Sequence, residues 1–288
     1  MAGSVLFDAP GAATVARHRI YTVVATIGLI GVLAFVFWRL YENGQLEYAL
    51  WEPFVTPAYV EALLVDGLLV TLQMAFTAVI AAVAFGVVFG IGKLSDHAFI
   101  RWPCWAVVEF FRAVPVLLLM ILVFFSYGIA RESAPYVSVV VALMLYNGAV
   151  LAEVFRAGIQ AVPRGQAEAA YALGMRKAQV MNIVLLPQAV KIMLPAIISQ
   201  MVVALKDTSL GYAVAAPGLT YVGQQIYRQF QNQVPTAIVL AAIYIVVNLL
   251  LTLVATWVQK KFVGEKKPLE VSMVAHMDDG RTAGAPLL

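Results

Sequence analysis

Charge is scarce in this sequence: only 12% of its 288 residues are Asp, Glu, Lys or Arg, about half the ~25% of a soluble domain. That shortage excludes a disordered chain, a nucleic-acid-binding module and an ordinary cytosolic enzyme. Cysteine is nearly missing too, and with Cys104 alone no intrachain disulfide can form. The histidines, His18, His97 and His276, stand too far apart to form a ligand cluster, so no metal site and no other cofactor is expected. A Walker A loop is also lacking. GIGKLS at residues 90–95 has no glycine five residues before Gly92, and Leu94 rather than Ser or Thr follows Lys93. No catalytic residue is expected, and any ATP hydrolysis must come from a partner.

Apolar surface is what the chain has in plenty. Hydrophobic residues make up 62% of it and the mean hydropathy is +0.87, which points to a polytopic membrane protein. A helix crossing ~30 Å of hydrocarbon needs roughly 20 mostly apolar residues. Six stretches qualify: residues 20–40, 67–92, 113–129, 136–152, 192–212 and 235–258. The expected fold is an all-α bundle of six transmembrane helices. The first stretch is too long for a signal-peptide h-region and no small-residue cleavage site follows it, so an uncleaved extra span is expected.

Basic residues orient the bundle. Of the 19 Lys and Arg, only Arg39, Arg131 and Arg228 fall in the segments assigned outside, and Lys206 falls within a span. The positive-inside rule then places both termini in the cytoplasm. The expected order is a cytoplasmic N-terminus (1–19), the extra span, an acidic external segment (41–66), a five-span domain (67–258), and a polar cytoplasmic tail (259–288) of disordered composition.

One cytoplasmic segment, residues 153–191, is far longer than a connection needs. Pro163 and Gly165 open a run of good helix formers, and Gly174 stands where a helix would end with positive φ. Beyond it Val180, Ile183, Val184 and Pro187 recur at helical spacing. The pattern predicts two short helices joined at Gly174, a compact knob on the cytoplasmic face. An amphipathic helix lying on the membrane would explain only part of it.

The residue string here is Glu168-Ala169-Ala170, three residues, Gly174, nine residues, Val184, one residue, Leu186-Pro187. It resembles the EAA motif of ABC-importer permeases, with Val184 where Ile is usual. YNGAVLAEVFRAGIQAVPRGQ (146–166), LPQAVKIMLP (186–195) and KDTSL (206–210) are similar to the polar-amino-acid branch of that family. FFRAVP (110–115) is similar to that branch's FRGTP, with Ala113 and Val114 in place of Gly and Thr, and Val150 replaces a common Tyr. The resemblance spans residues 67–258. The FDAP start and overall layout look like the glutamate-uptake permeases of actinobacteria.

The resemblance implies a type I ABC-permease core in a bacterial plasma membrane, importing a polar amino acid. L-Glutamate is the expected substrate, with glutamine, cystine or a basic amino acid as alternatives. It implies separate ATPase subunits, a second permease chain (identical or different) and an external solute-binding protein. Gly165, Glu168, Ala169, Ala170, Gly174, Leu186 and Pro187 would form the ATPase-coupling element. The alternative from another class is an ion-coupled secondary transporter, which often shows repeat symmetry between its halves; no repeat stands out here, and the long loop would be unexplained. A membrane scaffold protein is a third reading.

Lys206, Asp207, Thr208 and Ser209 are polar residues within the fifth span. Charges there are costly and face water or the bundle interior, so these four are the candidate translocation path; Asp207, Thr208, Ser209 and Gly211 together also suggest a break or a new helix start. Snorkelling of Lys206 to the outer surface is the competing reading. Glu109 and Arg112, and Glu153 and Arg156, stand at i, i+3 and can pair, either as membrane-edge anchors or as parts of a gate. Gly86 and Gly90 form a GxxxG suited to close helix approach.

Overall fold

The computed structural model describes residues 12–128 and 131–263. The FDAP string, Ile129 and the tail from 264 onward lie outside the described residues. No strand occurs among the described residues. In chain order the helices are α1 (Ala12–Glu42), α2 (Pro57–Lys93), α3 (Ala98–Ala113), α4 (Val116–Tyr127) and α5 (Ala134–Gln160). They continue with α6 (Arg164–Ala172), α7 (Lys177–Val214), α8 (Leu219–Phe230) and α9 (Gln233–Val263). Among the described residues α1, α2, α5, α7 and α9 are long and apolar enough to cross a membrane, and α3 with α4 makes a sixth span if the bent pair counts as one.

Several expected boundaries differ from the observed helices. The third span was expected over residues 113–129, after a cytoplasmic connection. Instead that connection is helix α3, and α4 leaves it at 104°. Pro115 is the cause: a residue before proline is driven out of the helical region, and Val114 takes φ −82°, ψ 129°. The 12 residues of α4 reach only about 18 Å. The second span begins at Pro57, so the external segment is partly helical; proline at a helix start suits its fixed φ.

The largest difference lies in the long cytoplasmic segment. Its second helix is not short. It runs from Lys177 without interruption into the fifth span, as one 38-residue helix. Pro187 and Pro195 both lie inside it. A π-helical turn at Val180–Leu185 directly precedes Pro187 and accommodates the missing donor, as such adjustments do in membrane helices. No break occurs at Asp207 either; the helix tightens to 3₁₀ geometry over Thr208–Val214.

Helix α5 is the hub. Val139, Ala142 and Leu143 pack with Met74 and Ala78 of α2 and with Leu119 and Met120 of α4. Further along, Leu151 and Phe155 pack with Ala82 of α2 and with Ala189 and Met193 of α7. The GxxxG of α2 lies at this contact. A Cβ on Gly86 would come within 2.8 Å of Leu151 Cβ, and one on Gly90 within 2.9 Å of the Ala152 carbonyl oxygen. Only glycine lets the two backbones approach this closely. Buried polar groups also bind helices together: Gln200 donates to Asn147 Oδ1 at 2.6 Å, linking α7 to α5, and the Leu219 amide donates to Thr71 Oγ1 at 2.8 Å, linking α8 to α2. By contrast, the large apolar side chains of α1 from Ile20 to Trp38 are all exposed, the surface a solitary span offers to hydrocarbon.

Lys93, Glu153 and Lys177 gather at one end of the bundle. At the opposite end, Gln229 of α8 donates to the Tyr59 hydroxyl at 3.1 Å. Because basic residues concentrate at the first end, that end should face the cytoplasm. In a Cys104→Ser background, a cysteine at Arg228 is expected to react with an impermeant thiol reagent on intact cells, and a cysteine at Lys177 is not. Labelling at 177 without labelling at 228 would overturn the orientation.

Candidate coupling and translocation sites

The knob begins as a short exposed helix, α6, of which Ala170 is buried, 4% exposed. It packs against the π-helical turn at the start of α7, where Val180 is fully buried. The C-terminus of α6 closes in a Schellman turn. The Met175 amide donates to the Ala170 carbonyl at 3.2 Å and the Gly174 amide to the Tyr171 carbonyl at 2.9 Å. Gly174 sits at φ +77°, the left-handed conformation this turn requires. Past the turn, the Arg176 amide donates to Gln179 Oε1 at 2.9 Å and starts α7.

Of the motif residues, Gly165, Glu168, Ala169, Gly174, Leu186 and Pro187 are exposed, and Ala170 alone is buried. Glu168 makes no ion pair among the described residues. Elsewhere on the knob the apolar side chains of Tyr171, Leu173 and Ile183 are also exposed, Leu173 by 83%. The knob therefore presents both a carboxylate and exposed apolar side chains. Lys177 pairs with Asp96 in the turn between α2 and α3, and its ammonium holds the Asp96 carboxyl below the usual range.

The four intramembrane residues do not act as one cluster. Lys206 is exposed and Ser209 half-buried, and both line a groove of about 490 Å³ between α7 and α9. Tyr244, Asn248 and Thr252 form the α9 side of it. Asp207 is half-buried, makes no ion pair among the described residues and does not line that groove. Thr208 is buried and returns its hydroxyl to the Leu205 carbonyl at 2.6 Å. Successive helix residues point ~100° apart, which separates Lys206 from Asp207. The polar residues of α9 gave no signal in the sequence, since isolated Asn, Tyr and Thr are ordinary in a membrane helix.

A third arrangement joins the two i, i+3 pairs. Lys93, the last residue of α2, donates to Glu153 of α5 at 2.7 Å and to Glu109 of α3 at 3.2 Å. Its side chain is only 5% exposed. Arg156 Nε donates to Glu153 at 2.8 Å, and Arg112 to both oxygens of Glu109 at 3.2 Å. Sequence spacing reveals each Glu–Arg pair, but not the lysine that bridges them from 16 and 60 residues away.

Residues 82–264 match the binding-protein-dependent transport system inner membrane component family. The chain is 42% identical over 223 residues to the glutamate transport system permease protein GluD of Corynebacterium glutamicum, covering 76% of this chain and 82% of that protein. It is 31% identical over 209 residues to the glutamate/aspartate import permease protein GltK of Escherichia coli, covering 69% and 92%. A chain from a crystal structure of an amino acid ABC transporter with histidines superposes with a TM-score of 0.67 at 30% identity, covering 72% of this chain and 98% of that one. The match to a permease family over residues 82–264 replaces the alternative of an ion-coupled transporter, and the chain has a type I permease core. This chain therefore belongs to the binding-protein-dependent transport system inner membrane component family, as the multi-pass membrane permease subunit of an ABC importer.

Proposed function

We propose that this chain carries L-glutamate inward across the membrane, with ATPase subunits docked on the α6 knob. The observation that carries the substrate is the 42% identity to the Corynebacterium glutamate permease across 223 residues. In this reading Glu168 and the exposed apolar side chains of the knob enter a groove of the ATPase. Gly174 fixes the angle at which α7 leaves the knob, and Leu186 and Pro187 lie where α7 leaves its π-helical turn. Because α7 is continuous from Lys177 to Val214, a displacement of the knob moves a full membrane helix as a rigid body.

One such domain is too small to enclose a path, so a second permease chain, identical or different, completes it. An external solute-binding protein delivers the amino acid. Lys206 and Ser209 line the path, and the lysine attracts the substrate's carboxylates. Asp207 and Thr208 shape α7 behind them.

Uptake of labelled glutamate, arginine and cystine by cells with and without this chain tests the substrate. Glutamate uptake is expected to fall to background without it, while arginine and cystine uptake persist. Unchanged glutamate uptake with loss of either other substrate would overturn the glutamate reading. An ATPase is expected to co-purify with the chain in mild detergent.

A further inference from the structure

The knob touches only part of the bundle. It packs on the start of α7, and α7 is joined to the end of α5 by Phe155, Val162, Ala189 and Met193. Helix α4 packs on α5 through Leu119 and Met120, and Lys177 at the start of α7 pairs with Asp96 in the turn that leads into α3. Helix α3 has an apolar anchor at Val108, fully buried with Ala149 and Ala152 of α5. Phe111, three residues on, packs against the same cluster, so these apolar contacts gather in the C-terminal half of α3. Toward its N-terminus, Trp102 and Trp105 are exposed and edge a cavity of about 530 Å³, and Cys104 between them rests on α2.

Lys93 adds a charged tie to α3. Its ammonium holds Glu153 of α5 and Glu109 of α3 at once, at the point where α2 ends. Cys104 of α3 lies directly against Gly92, one residue before it. With its side chain 5% exposed, Lys93 is screened far less than a surface ion pair. The bridge joins α2, α3 and α5 at the end of the bundle that carries the knob.

We propose that Lys93 is a positioning residue for transport: it is a joint that makes α3 follow α2 and α5 when the knob, acting through α7, moves them. The inference rests on the reading of α6 as the ATPase-docking knob. Glu109 retains Arg112 and Glu153 retains Arg156 when the lysine is removed. Neither carboxylate is then stranded, and the chain should still assemble.

The test uses the whole complex, this chain with its ATPase subunits, second permease and binding protein, reconstituted in liposomes and supplied with glutamate. Lys93→Met is expected to lower glutamate transported per ATP hydrolysed by about tenfold, with hydrolysis near the parent's. Lys93→Arg should restore most of the ratio, because it keeps the charge. Cys104 should also react faster with a maleimide in the Met variant, read on this chain by mass spectrometry, because α3 is released from Gly92. A merely structural role predicts parallel loss of transport and hydrolysis with complex abundance, at an unchanged ratio; that result overturns the proposal, as does a Met variant that transports like the parent. If variants of the knob uncouple transport while Lys93→Met does not, the joint is refuted and the docking reading stands. Knob variants that transport normally refute the docking reading itself.

Discussion

Gly174→Val is expected to cut transport by an order of magnitude while the chain still inserts and assembles. The reason is backbone geometry rather than space. A Cβ at position 174 would meet no atom within 4 Å, yet φ is +77°. Left-handed backbone costs an ordinary residue about 1–2 kcal/mol, and a β-branched side chain is among the least tolerated there. That penalty corresponds to roughly a 5–30-fold shift against the native turn. Relieving it requires negative φ at residue 174, which breaks the Met175-to-Ala170 hydrogen bond and re-aims α6 relative to α7.

None of the long membrane helices contains residue 174, so insertion should be spared. Gly174→Asn should be milder than Gly174→Val, because Asn tolerates the left-handed region. Glu168→Lys, on the exposed face, should act differently and weaken docking of the ATPase by reversing a charge at the interface rim. Uptake at equal membrane abundance, with the ATPase quantified by co-purification, separates these effects. Normal transport by the Gly174→Val complex would show that the turn does not set the coupling angle.

How much of this architecture the sequence reveals depends on the range of the forces involved. The spans are legible because burial in hydrocarbon acts on each helix alone and demands about 20 apolar residues. The Schellman turn is legible because one residue, Gly174, decides it. The bend at Val114 and Pro115 is legible only as a proline; its consequence, a short α4 leaving α3 at 104°, depends on what α3 packs against. The continuity of α7 through two prolines is hidden for a similar reason. A proline removes a donor locally, but the π-helical turn before Pro187 makes good the loss over several residues. Least visible are the contacts between distant residues. Asn147 with Gln200, and Lys93 with Glu109 and Glu153, pair across 53, 16 and 60 positions. A terminal lysine on a membrane helix looks the same whether it meets headgroups or bridges two carboxylates.

Lys206→Met is expected to reduce glutamate uptake roughly tenfold or more, since a hydrogen bond to a charged group is worth about 1.5–3 kcal/mol. The depth of the residue supports this. From Lys206 the chain runs through the 3₁₀ turn Thr208–Val214, about 15 Å at ~2 Å per residue, before α7 ends at its outer side. The ammonium therefore starts well below the surface, where a charge must find water or a partner. No carboxylate of this chain pairs with it among the described residues, although Asp207 is its neighbour in sequence. Instead it faces the groove of about 490 Å³ with Ser209, Tyr244, Asn248 and Thr252. An acidic amino acid passing that groove would offer the lysine its counter-charge. Met keeps the length of the stem and removes only the charge, so insertion and assembly should not suffer. Lys206→Arg should retain part of the activity, because it keeps the charge but presents it as a planar fork. If the lysine instead snorkels to the headgroups, Met is tolerated because only an anchor is lost. Uptake by the Met variant equal to the parent's, at equal abundance in the membrane, would remove Lys206 from the translocation path.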